Sequence, residues 1–87
     1  MDARPPFTEL RVRVNRAEQL LMFDYEPGTE DALFDLCTLD GQILKTGDIR
    51  GPVTQVRLTD VQDQDLVLMV LDGENSVVHP ILLRQAV

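Results

Sequence analysis

The chain holds one cysteine and one histidine, Cys37 and His79, and they are its single thiol-imidazole pair of the kind that acts as nucleophile and base. Leu36 and Leu39 beside the cysteine predict partial burial, where a thiol stays protonated and inert. The pair therefore reads as a packed thiol and an ordinary histidine. A closed zinc site takes four sulfur or imidazole ligands, which these two residues cannot supply. Hard oxygen ligands are more plentiful. Asp60, Asp63 and Asp65 share one loop, and Asp24, Glu26, Glu30 and Asp31 flank another, which is the donor chemistry calcium prefers. Neither loop has the glycine and glutamate placement of the helical calcium motif, and in a chain of net charge −7 such loops read first as solvated surface. Gly47, Gly51 and Gly73 do not form a run that could cradle a phosphate. No catalytic set and no cofactor is expected.

Fifteen acidic against eight basic residues repel nucleic-acid phosphates and anionic lipid, so neither is an expected partner. Arg4, Arg11, Arg13 and Arg16 do gather near the start, but without interleaved aromatics, and Arg11 and Arg13 alternate as the outward face of a strand does. No apolar run approaches the roughly 20 residues of a spanning helix, so no membrane insertion is expected. The opening Met1, Asp2, Ala3, Arg4, Pro5, Pro6 lacks the apolar centre of a secretory signal. As written, the chain is expected in the cytoplasm; as a fragment of a larger cargo it would be secreted or held at the cell surface.

The elements that must carry these groups follow from period-two alternation, broken by turn residues about every 8–12 positions, which is the spacing of an antiparallel sandwich. Eighty-seven residues suffice for one such domain, expected over 8–84 behind a flexible segment 1–7. Strands are predicted at 8–14, 19–25, 32–39, 42–46, 53–58, 66–71 and 76–83. The expected inward sets are Leu10, Val12 and Val14; Leu21, Phe23 and Tyr25; Phe34 and Leu36; Val56 and Leu58. Residues 16–23 also suit a short helical stripe, although their length and neighbours favour a strand. Asp40-Gly41 and Asp72-Gly73 mark tight hairpins. The segment 66–71 is apolar on both faces and predicts a central strand covered from two sides. Pro80 cannot donate to a ladder, so the last strand belongs at an edge or carries a bulge. Its Val78, Pro80, Ile81 and Leu83 are the expected contact residues for a protein partner.

From Ala32 onward the order of features resembles the C-terminal sorting domains of the type IX secretion system of Bacteroidetes-type bacteria. FDLCTLDGQILKTG resembles the family's apolar strand, glycine turn and second short strand. VRLTDVQDQDLVLMVLDGENSVVHPILL is similar to its later strands, with their polar crossing and turn. The likeness is to a degenerate, type A-like member: Gln64 and Leu66 stand where the family has glycine and then an aromatic residue, and Leu83 to Val87 replace its lysine-rich end. It implies an all-β, immunoglobulin-like sandwich of about seven strands, non-catalytic, recognised by the secretion machinery as a folded surface. The alternative expectation is a free-standing structural subunit that self-associates through its edge strands.

Overall fold

The computed structural model describes residues 10–61 and 64–82. The flexible segment expected at 1–7, Asp63 and Leu83 lie outside the described residues. Seven strands follow one another: β1 (Arg11–Asn15), β2 (Leu20–Asp24), β3 (Leu33–Thr38), β4 (Ile43–Asp48), β5 (Val53–Arg57), β6 (Asp65–Asp72) and β7 (Asn75–Leu82). They form two antiparallel sheets in the orders β1-β2-β5 and β4-β3-β6-β7. This is the immunoglobulin-like arrangement with the fourth strand laid beside the third instead of beside the fifth. No helix among the described residues is long and apolar enough to cross a membrane. The segment 16–23, which also suited a helix, is a turn followed by β2.

Local chemistry explains the connections. Asn15 Oδ1 accepts from the Glu18 amide, and Gln19 closes the β1–β2 turn in the left-handed region at φ 55°. At the β3–β4 turn the Gly41 amide reaches the Thr38 carbonyl at 3.1 Å, and Gly41 takes φ 98°, a conformation only glycine enters freely. The β6–β7 hairpin turns on Gly73 and Glu74 with Gly73 at φ 63°, as a two-residue loop led by glycine requires. Three crossings carry the chain between the sheets, 25–32 from β2 to β3, 49–52 from β4 to β5, and the one that leaves β5 at Leu58 for β6.

Leu21, Phe23, Leu36, Leu66, Leu68 and Val70 are the large side chains buried completely. Each removes enough apolar surface to contribute about 1.5–3 kcal/mol. Phe23 from one sheet meets Phe34 from the other edge-to-face, with centroids 5.6 Å apart, and so ties the layers together. The inward sets match the expected ones, including Val56 and Leu58, with two differences. Val14 is exposed, because β1 lies at the margin of its sheet where the facing layer ends. The loop residue Ile49 is buried, held by its amide bond to the Ala32 carbonyl.

β6 is central as expected, between β3 and β7, but it is not covered from two sides. Leu66, Leu68, Val70 and Asp72 are buried, whereas Val67, Met69 and Leu71 on its other face are only half-buried. No strand among the described residues packs over that face, so its apolar character is not explained by the core. β7 is an edge strand, again as expected, and pairs with β6 without a bulge from Asp65↔Leu82 to Asp72↔Asn75. Pro80 opposite Val67 has no N–H, so an unbroken ladder requires its nitrogen to face away from β6. The free edge of β7 therefore lacks a donor at that point.

Candidate functional site

The outward face of β4-β3-β6-β7 is built by register. Rows across the sheet read Ile43, Cys37, Val67, Pro80; then Thr46, Asp35, Met69, Val78; then Asp48, Leu33, Leu71, Ser76. A register shift between Leu36 and Cys37 leaves Leu44 as the extra residue on β4. That bulge turns Leu44 toward the core and puts Ile43 on the outer face. The outcome is an apolar surface with carboxylates set into it and beside it. Ile43 is 56% exposed, Val78 60% and Leu82 75%. Exposed aliphatic groups grouped in this way on one face mark a contact surface more often than singly scattered ones do.

The opposite outer face, on β1-β2-β5, differs in charge. Its rows place Arg11, Asp24 and Val53 together, then Arg13, Met22 and Gln55, then Asn15, Leu20 and Arg57. Arg13 pairs with Asp24 at 2.6 Å. Two sheets of one small domain thus present outward faces of opposite sign.

Cys37 and His79 do not meet. Cys37 lies opposite Val67 on the outer face of its sheet, and His79 lies opposite Leu68 on the inner face, with β6 between their strands. Burial and then the neighbouring Asp35 charge push the Cys37 thiol above its ordinary range, which keeps it protonated. Of the acidic candidates, Asp60 is bound by Lys45 at 2.8 Å, and that ammonium holds its carboxyl below the usual range. The pair fastens edge strand β4 to the crossing that leaves β5. Asp65 opens β6, and Asp24 is the Arg13 partner already described. Glu26 lies in the crossing 25–32, while Glu30 and Asp31 line, with Leu33, Asp48 and Arg50, an open hollow of about 600 Å³. No three His, Cys, Asp or Glu groups among the described residues are placed to hold a metal ion. Of the expected contact residues, Val78 and Pro80 are exposed on the outer face. Ile81 is a correction: it is 4% exposed and belongs to the core, because alternation from Pro80 turns it inward.

One polar cluster was not expected. Asp72, only 3% exposed, accepts hydrogen bonds from the Tyr25 hydroxyl at 2.7 Å, the Gly28 amide at 2.7 Å and the Thr29 hydroxyl at 2.8 Å. It ties the crossing 25–32 to the β6–β7 hairpin, where Gly73 also lies against the Thr29 methyl. The signal was present in the sequence, since Leu66, Leu68, Val70 and Asp72 continue a single inward alternation. The Asp72-Gly73 turn signature hid it.

The Tyr25 hydroxyl bond, followed by the Gly28 amide and the Thr29 hydroxyl, holds the Asp72 carboxyl below the usual carboxylate value, against the opposing effect of burial. Burial, with the bond to Asp72 and its charge, pushes Tyr25 from 10.0 up to about 12. The signs follow by linkage. Asp72 contributes stability above the unfolded carboxylate value of 3.8, lost as pH falls through its lower folded value. Tyr25 contributes stability below pH 10.0 that is lost as pH rises toward about 12. Tyr25 is the one tyrosine and there is no tryptophan, so tyrosinate absorbance reads this group alone. The native chain is expected to ionise near pH 12 and the urea-unfolded chain near 10; a native midpoint at 10 would show the cluster unformed.

The sequence matches no family model, and no curated protein is significantly similar to it.

Proposed function

We propose that this chain is a non-catalytic interaction module that works as a type IX sorting domain does, recognised by protein machinery through its folded surface. One observation carries the reading. The segments that resemble the sorting family, 34–47 and 56–83, contribute the strands of the four-stranded sheet. The likeness therefore covers a structural unit, and that unit displays Ile43, Val78 and Leu82 on an outer face that no other part of the described chain covers. On this reading the domain rides behind a cargo and is displayed at the cell surface of a Bacteroidetes-type bacterium, needing no cofactor.

The test is export. The chain fused behind a periplasmic reporter, in a bacterium with a working type IX system, is expected to carry the reporter to the surface. Retention in the periplasm by a fusion that melts like the isolated chain overturns the proposal.

The alternative reading, a structural subunit that pairs through edge strands, draws on β7, an edge of eight residues. Pro80 weakens it, since the edge lacks a donor toward the end of the strand. Self-association, if it occurs, is better served by the faces than by this edge.

A further inference from the structure

The two outer faces are complementary to one another. That of β1-β2-β5 sets Arg11, Arg57 and Arg13, the last paired to the one carboxylate of these rows, Asp24, around Leu20, Met22 and the exposed Val53. That of β4-β3-β6-β7 sets Asp35, and at its margin Asp48 paired to the exposed Arg50 at 3.0 Å, around Ile43, Met69 and Val78. Each combines an apolar centre with charges of one predominant sign, and the signs are opposite. We infer that the occupant of the four-stranded face is a second copy of this chain, docked head to tail by its three-stranded face.

Charge selects this arrangement over the alternatives. Two four-stranded faces brought together would oppose Asp35 to carboxylates, and two three-stranded faces would oppose arginines; like charges across a contact select against it. The chain's net charge of −7 is spread over a surface on which interactions beyond about 10 Å are screened at ordinary salt, so the local pattern decides the encounter. Because the two patches are different, the contact is heterologous, and because they lie on opposite outer faces of one sandwich the copies stack, each stack keeping one free face of each kind at its two ends.

Size sets the strength. Strands about 4.8 Å apart and rising about 3.4 Å per residue make faces of roughly 250–450 Å². Two of them bury less than the roughly 1,200 Å² at which stable complexes begin. The contact is therefore weak, forming at high concentration or between copies held close together on a surface.

Sedimentation of the full chain tests this through charge exchange. The wild type is expected to form a concentration-dependent series that continues past the dimer. Arg11→Glu with Arg57→Glu makes both faces acidic, and Asp35→Lys with Asp48→Lys makes both basic. Each variant, with wild-type melting as the check on folding, is expected to associate at least ten-fold more weakly. Mixed in equal amounts, the two variants are expected to co-assemble. A wild type that stays monomeric at about millimolar concentration, a series that stops at a dimer, or a mixture no more associated than its parts overturns the inference. The readout is independent of export, so either proposal can fail alone.

Discussion

Replacing Asp72 by alanine is expected to cost about 2–4 kcal/mol of folding stability, measured by urea unfolding. The change removes the shared acceptor of three donors at once. A buried donor left without a partner costs about 1–3 kcal/mol, and bonds to a charged acceptor are among the stronger ones. The three losses do not add in full, because Gly28 and Thr29 are only part-buried and can turn to water, whereas the Tyr25 hydroxyl is enclosed. Tyr25→Phe should cost less, since it removes a donor and leaves the carboxylate its other two. Asp72→Asn separates charge from shape. It keeps one oxygen but points an amide where a carboxylate accepted, and should fall between the two. A native Asp72→Ala chain as stable as wild type would show that the cluster contributes nothing net.

The second large effect is expected where β4 passes beneath an aromatic ring. A Cβ added at Gly47 would lie 2.8 Å from Cε1 and 3.0 Å from Cζ of Phe34, the residue opposite it. The ring thus occupies the volume that glycine leaves. Phe34→Ala is expected to cost about 3–5 kcal/mol through the cavity and the lost contact with Phe23. Gly47→Ala is expected to cost about 1–3 kcal/mol, because the ring is held by the core and cannot retreat freely. Combining them is the decisive measurement. With the ring gone the clash disappears, and alanine in a strand interior is better than glycine by roughly 0.5–1 kcal/mol. Gly47→Ala should then be neutral or stabilising in the Phe34→Ala background. An equal cost in both backgrounds would mean that the ring does not explain the glycine.

These two sites differ in how far the sequence revealed them. The strands were legible because a half-buried strand must alternate, and Leu21, Phe23, Leu36 and Val56 do so in register with burial. Hairpins were legible where a backbone position demanded glycine, as at Gly41 and Gly73. The pairings β2 with β5 and β3 with β6 were not, because their partners, such as Leu20 and Arg57, are far apart in the chain and alternation fixes a face without naming a neighbour. The same limit hid the outer face. An apolar strand reads alike whether covered twice or exposed on one side, and only the second layer's position shows that Val67, Met69 and Leu71 are left half-buried. Ile81 was legible in principle, since it follows the outward Pro80, yet the apolar run at 81–83 masked the alternation.

The bond from Tyr25 to Asp72 also bears on how the chain reaches this state. Tyr25 follows the last residue of β2 in one sheet, and Asp72 ends β6 in the other. The three hairpins close short loops, but β2–β5 and β3–β6 enclose long ones, whose closure entropy delays folding to the millisecond-to-second range typical of such sandwiches. The Tyr25 hydroxyl finds its carboxylate only when the end of β2 and the end of β6 have come together across the two sheets. The single phenol of the chain is therefore a clock for the docking of one layer on the other.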